Sequence, residues 1–321
     1  MLHRRSFLGL AAATLASPAV IVSQAGAAQD WPTRPVRLIV PFTPAGATDV
    51  IGRLMGNRLS EMWGQQVVVE NRPGAGANIG TDAAAKADPD GYTILINSMP
   101  LAVNKFLYAS LSYDPLGDFA PVTLLVMQPN IMAVSNALPV KSVGEFIAYA
   151  KANKGKISYA SSGNGTSLHL CGEMFKRMAG IEMIHVPYRG AAPALNDLIP
   201  GRVDVIFDNV SSILPHVQSS SVRGIACTTA KRIRAAPDLP PIADTVPGFD
   251  VSSWFGLLVP AKTPPAIVAR IHKDAVEALQ YSSVRPRLEE LGAEIVGSTP
   301  EAFGAHLKAE MDKWGPVIRE A

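Results

Sequence analysis

Twice along this 321-residue chain a β-branched run leads into a loop of small residues and then into an amphipathic stretch. Such alternation of strand and helix predicts an α/β fold. In the first set, Val36–Val40, Val67–Glu70 and Thr93–Asn97 read as strands, with helices from near Thr48 or Asp49 to about Trp63 and over Ile79–Lys86. Ala120–Val134 is apolar, is interrupted at Gln128-Pro129, and reads as an extended crossing segment. A second set follows. Ser142 with Glu145 forms a capping box ahead of Phe146–Asn153. Ile157–Ala160 is a strand, Thr166–Ala179 is a helix closed by Gly180, and Met183–Val186, Val203–Phe207 and Val222–Thr228 are strands. Phe255–Val259, a helix primed by Pro264-Pro265 and a last helix from Thr299-Pro300 complete the chain. Ile131–Ala150 and Leu257–Ala275 share an order of strand, proline, amphipathic helix. Two α/β lobes joined by strands that cross twice explain this arrangement, with 28–125 and 229–321 in one lobe and 126–228 in the other. A ligand cleft then lies between the lobes, lined by the loops that follow the strands.

Ahead of these elements, residues 1–27 read as an export signal. His3, Arg4 and Arg5 are basic, Phe7 to Val22 is apolar, and Ala25 and Ala27 suit a signal peptidase. The apolar run is short for a bilayer span, which needs roughly 20 residues. Arg4-Arg5-Ser6-Phe7-Leu8 is compatible with either a twin-arginine or an ordinary signal. Either route places the mature protein in the periplasm. Without the two arginines, 27 basic residues face 27 acidic ones, a balance that offers nucleic acid no electrostatic footprint. Hydrophobic residues at 48% supply enough material for real cores. Cys171 and Cys227 are two free thiols or one disulfide, too few for a disulfide scaffold.

Two loops stand at equivalent places. Pro41-Phe42-Thr43-Pro44-Ala45-Gly46-Ala47-Thr48-Asp49 joins the first strand to the first helix. Its small residues let backbone amides approach a ligand, and a helix start carries about half a positive charge. Thr48 or Asp49 caps that helix, and Asp49 is spaced to pair with Arg53. Ser161-Ser162-Gly163-Asn164-Gly165-Thr166 repeats the arrangement in the second set. The second loop is either an ordinary tight strand-to-helix turn or, facing the first across a cleft, the other half of a carboxylate receptor without an arginine. His169, in the following turn, either donates to a bound anion or is structural.

Other chemistries find less support. Gly74, Gly76 and Gly80 miss the dinucleotide fingerprint by one residue, and no P-loop lysine is present. Tyr159 stands where a hydrolase elbow around Ser161 needs glycine. The six histidines never come as close pairs, so no metal site and no cofactor is expected.

At these loops the chain resembles the Bug family (TctC-like) receptors of tripartite tricarboxylate transporters. The resemblance rests on residues 40–49, on 69–76 with Asn78-Ile79-Gly80 and 88–93, and on Ser162-Gly163-Asn164-Gly165-Thr166 with His169 and Leu170. It continues through Val186-Pro187-Tyr188-Arg189-Gly190 and Trp254-Phe255-Gly256-Leu257. It implies a type II periplasmic-binding-protein fold whose two loops grip one ligand carboxylate. Phe42, Gly46, Thr48 and Asp49 then form one jaw, and Ser162, Gly165, Thr166 and His169 the other. Asn97, Ser98, Arg189 and Asp208 contribute the wall that selects the rest of the solute. Asp208 either meets an ammonium or hydroxyl or is a satisfied structural carboxylate. Ala45 replaces a glycine common in the family, which restricts the backbone there. The implied function is non-catalytic capture of a small organic carboxylate by a monomer, with delivery to the permease subunits of a membrane transporter. A sensor subunit for a signalling receptor and a secreted hydrolase using Ser161 or Ser162 are the rivals.

Overall fold

The computed structural model describes residues 31–320, and the export signal read at 1–27 lies outside them. Its β-branched runs fold as expected into β1 (Val36–Val40), β2 (Val67–Asn71) and β3 (Thr93–Asn97), separated by α1 (Ala47–Trp63) and α2 (Asn78–Ala85). After α3 (Pro100–Leu107) comes β4 (Phe119–Val134), sixteen residues without a break. The interruption expected at Gln128-Pro129 is absent. Pro129 has no amide to offer, and it sits on the ladder opposite Ser252, at the end of that pairing.

The second set comprises α4 (Val143–Ala152), β5 (Ser158–Ser161), α5 (Ser167–Ala179), β6 (Ile184–Pro187), α6 (Ala191–Leu198), β7 (Val205–Asn209), α7 (Val210–Gln218) and β8 (Arg223–Cys227). The chain returns through β9 (Ser252–Pro260), α8 (Pro265–Gln280), α9 (Arg285–Glu290), β10 (Glu294–Ile295) and α10 (Pro300–Glu320). Capping residues act as their chemistry dictates. Ser142 Oγ accepts the Glu145 amide at the start of α4, although Glu145 reaches back to Lys141 rather than to Ser142. Thr299 Oγ1 does the same for Ala302 at the start of α10.

Strand pairing divides the ten strands into two sheets. The first runs β2-β1-β3-β9-β4-β10, parallel among β1 to β3 and antiparallel beyond. The second runs β8-β4-β7-β5-β6, parallel among β5 to β7. β4 belongs to both: Phe119 to Pro129 pairs with β9, and Asn130 to Val134 pairs with β7. Each sheet is covered on both faces by apolar side chains, so β3 and β7 are buried along their whole length. This is the two-lobed α/β architecture anticipated above. Ile242, Val246, Phe249 and Val251, placed with the first lobe on sequence, pack instead in the core of the second sheet. Both cysteines are free and buried.

Candidate functional site

In open α/β sheets the carboxyl ends of parallel strands are where helices begin and ligands sit. Here the carboxyl ends of both sheets turn toward one cavity. Its wall takes Phe42, Gly46, Ala47 and Thr48 from beyond β1 and Ser98 from beyond β3. The second lobe adds Ser162, Thr166, Ser167 and Leu168 from beyond β5, Ala191 from beyond β6, and Asp208 and Asn209 from the end of β7. Five helices (α1, α3, α5, α6 and α7) therefore start at or next to this space. Each presents the positive end of its dipole, although in α3 Pro100 has no amide and those of Leu101 and Ala102 already donate to the Ser98 and Met99 carbonyls. Ala47, Thr48 and Asp49 in α1, and Ser167 and Leu168 in α5, have no backbone or side-chain acceptor among the described residues.

Three internal bonds fix the first jaw. Asp49 Oδ2 accepts from the Ala45 amide and from Arg53 Nε, both at 2.9 Å, while Oδ1 accepts from Asn71 at 2.8 Å. Burial raises the Asp49 carboxyl, but the bonds from Arg53, Ala45 and Asn71 prevail and hold it below its usual range. The pairing with Arg53 is the one the spacing suggests. The capping residue differs from the expectation: Gly46, extended, occupies the N-cap without a side-chain bond. Ala45 lies at φ 68°, the strained position anticipated where the family prefers glycine.

The second jaw uses its amides differently from the expectation. Gly165 N donates to His169 Nδ1 at 3.2 Å, and Thr166 N donates to Gly163 O at 3.3 Å, so neither is free for a ligand. Thr166 is the N-cap, its Oγ1 donating to Gly163 O and accepting from the His169 amide. The free donors are one turn further on, at Ser167 and Leu168. Ser167 Oγ is held from the crossing strand by Asn130, which also accepts from Asn209 Nδ2 at 2.7 Å.

Of the twelve residues singled out on sequence, seven line the cavity: Phe42, Gly46, Thr48, Ser98, Ser162, Thr166 and Asp208. The other five do not. Asp49 is absorbed in its loop. Asn97 is fully buried and bonds Thr81 and the Ser98 amide, because on a fully buried strand its side chain turns away from the rim. Gly165 packs on Asn104, where any Cβ would collide. His169 turns back to its own loop and stacks on His185 at 4.3 Å. Arg189 is exposed. Ala47, Ser167, Leu168, Ala191, Asn209 and Phe255 are additions, and all but Phe255 mark the residue at or next to a helix start. Ser161 Oγ lies 2.6 Å from His185 Nε2, but the hydroxyl is fully buried and also binds Gly163, which makes it a loop brace rather than a nucleophile.

Glycines form the seam between lobes. A Cβ on Gly190 would run into Thr43, one on Gly76 into Asn164, and one on Gly165 into Asn104. Gly190 has φ 165°, extended backbone open to any residue, so space alone requires the glycine. Closed this way, the cavity holds about 20 Å³, room for about one water. A carboxylic acid enters only when the jaws part. The single ionisable side chain in the wall is Asp208, and no cation accompanies it.

Comparison with known proteins agrees with this geometry. Residues 51–321 match the model of the tripartite tricarboxylate transporter family receptor, TctC. Among solved structures, Rpa4515 of R. palustris, described with adipate, is 40% identical, with a TM-score of 0.88 over 90% of this chain and 97% of that one. The periplasmic binding protein BugD is 34% identical, with a TM-score of 0.87 over 90% and 98%. MatC of Rhodopseudomonas palustris, with bound malate, is 30% identical, with a TM-score of 0.85 over 90% and 100%. These relatives are solute-binding proteins, not enzymes.

Proposed function

We propose, starting from the fact that this chain belongs to the tripartite tricarboxylate transporter receptor family, that it is exported to the periplasm, captures a small mono- or dicarboxylate between its lobes and delivers it to the membrane subunits of such a transporter. One observation carries the reading: helix starts from both lobes converge on a cavity whose wall contains no cation. A carboxylate placed there accepts charge-assisted bonds from the free amides of Ala47, Thr48 and Asp49 on one side and of Ser167 and Leu168 on the other. The hydroxyls of Thr48, Ser98, Ser162 and Thr166 stand beside them, and Phe42 and Phe255 exclude water. Lobe closure dries the cleft and so strengthens each bond. Adipate in one relative and malate in another support an acid as the ligand. Binding draws the second lobe, which includes the 229–251 stretch packed on its core, onto the first about the crossing strands β4 and β9.

A thermal-shift panel of small carboxylic acids with their methyl esters tests this. A cognate acid at a hundred times its dissociation constant stabilises the protein by about 2.7 kcal/mol. Each charge-assisted bond lost in the ester costs about 1.5–3 kcal/mol, so the ester binds at least tenfold more weakly. Esters that shift the melting point as far as their parent acids would refute amide recognition of a carboxylate.

A further inference from the structure

Asp208 closes the cavity wall at the end of β7, and it is fully buried. Its Oδ1 accepts the Asn209 amide at 2.8 Å, whereas Oδ2 has no hydrogen-bond partner. Nothing charged offsets it from any packed element. α7 contributes the Ser212 hydroxyl, also without a partner, and Ser211, which is bonded to Gln128. β4 contributes Ile131, its ladder neighbour, and β9 contributes Phe255. α5 presents Ser167 and Leu168, with His169 turned to Gly165 and His185. α1 presents Ala47 and Thr48, with Asp49 committed to Ala45, Arg53 and Asn71. α6 presents Ala191, and Arg189 ahead of it lies in solvent. Burial accordingly pushes the Asp208 carboxyl up to about 7; the Ser212 hydroxyl beside it, which is not in hydrogen-bonding geometry, and the Asn209 amide oppose this with smaller effects.

An acid anion entering this cavity brings a second negative charge beside the first. Helix starts can balance one carboxylate, and no side chain neutralises the other. Two carboxyl groups in such proximity retain a proton between them. We propose that Asp208 acts in the loaded receptor as a neutral acid, taking up one solvent proton as the ligand anion enters and donating a hydrogen bond from Oδ2 to a ligand oxygen. No covalent bond to the ligand changes. The proposal rests on carboxylate capture and deepens it, since the far end of the ligand must then offer an acceptor oxygen (a second carboxylate, a hydroxyl or a carbonyl) rather than an ammonium group.

Titration calorimetry of the mature protein with adipate and malate, in phosphate and in Tris, counts the protons. At pH 8 close to one proton is taken up per acid bound, at pH 7 about half of one, and at pH 5.5 almost none. Affinity falls about tenfold per pH unit above 7, since the unloaded carboxyl must be reprotonated. Asp208→Asn, a substitution of nearly equal shape, binds without proton uptake and with affinity flat from pH 7 to 9. Tight binding by the unsubstituted protein at pH 8 with no proton transferred overturns the proposal and leaves carboxylate capture standing, and so does an Asp208→Asn variant that keeps the uptake. Binding of an amino acid that strengthens as pH rises overturns it too, because that requires the charged form. No heat with any acid of the panel refutes capture itself, and the proposal with it.

Discussion

At Ala45 and again at Gly165 the backbone passes through the left-handed region, at φ 68° and 79°. It then enters an extended N-cap, Gly46 or Thr166, and begins a helix. The third residue of each helix reaches back four positions to the amide of the left-handed residue: Asp49 to Ala45 at 2.9 Å, His169 to Gly165 at 3.2 Å. The two jaws thus share one backbone shape and differ in the group that locks it. In the first the lock is a carboxylate, anchored in turn by Arg53 and Asn71. In the second it is an imidazole that must be neutral at Nδ1 to accept, stacked on His185, which itself stacks on Tyr159 at 4.7 Å. What recurs is an acceptor at a given place, and its chemistry is free to vary. The variation sets the pH range over which each jaw keeps its shape.

Removing the charged lock has the larger effect. Asp49→Ala takes an acceptor from the Ala45 amide, from Asn71, which keeps the Phe42 carbonyl, and from the half-exposed Arg53, which keeps Asn71 Oδ1. At about 1 kcal/mol for each of three bonds we expect a loss of about 3 kcal/mol in urea unfolding. His169→Ala removes one neutral bond and costs about 1 kcal/mol. Equal losses at the two sites would break the contrast between the locks.

The seam between the jaws comes next. Gly190→Ala adds a methyl at extended backbone, with no strain in the second lobe but a collision with Thr43 on closure. Ligand affinity should fall at least tenfold, about 1.4 kcal/mol, with the melting point of the ligand-free protein little changed if that protein rests open. Undiminished affinity for the acids of the panel would mean that the seam is not part of the loaded state.

The pH response is the smallest effect and the most specific to one jaw. Burial lowers the pKa of His169, and burial, followed by the neighbouring His169, lowers that of His185 to about 4. Both are therefore neutral in the fold while an unfolded histidine gains a proton near 6.5. Stability is unaffected above that value, falls as pH drops below it, and levels off once each lowered folded pKa is passed, about 4 for His185. The Gly165 bond is lost as pH falls through the lowered pKa of His169, whereas Asp49, held low, keeps its bonds. His169→Gln retains an acceptor that does not titrate, so it should hold more of its neutral-pH affinity at pH 5 than the unsubstituted protein does. Parallel losses in the two proteins would place the acid sensitivity elsewhere.

The sequence made the jaws legible because each is local: strand, small residues and helix start occur within ten residues, and so does the pairing of Asp49 with Arg53. The seam was not. Gly190 and Thr43 lie 147 positions apart, and the reason for Gly76 is a carbonyl in the other lobe, at Asn164. Asn97 and Ser98 are neighbours in the sequence, yet a one-residue step turns one into the core and the other onto the cavity, a distinction set by the pleat. Asp49 and His169 looked like ligand groups because they stand at the right loops. Their backward reach depends on the left-handed turn, which composition signals with glycine at 165 but conceals with alanine at 45. Ser167 and Leu168 carry no signal in the sequence because their contribution is an amide, which no side-chain pattern announces.

A crystal structure of the mature protein with adipate or malate bound tests the central claim most directly. The account predicts one ligand carboxylate within about 3 Å of first-turn amides from both lobes, Ala47 to Asp49 on one side and Ser167 or Leu168 on the other, with no cationic side chain in contact. A carboxylate held by Arg189, or by donors of one lobe alone, would contradict it.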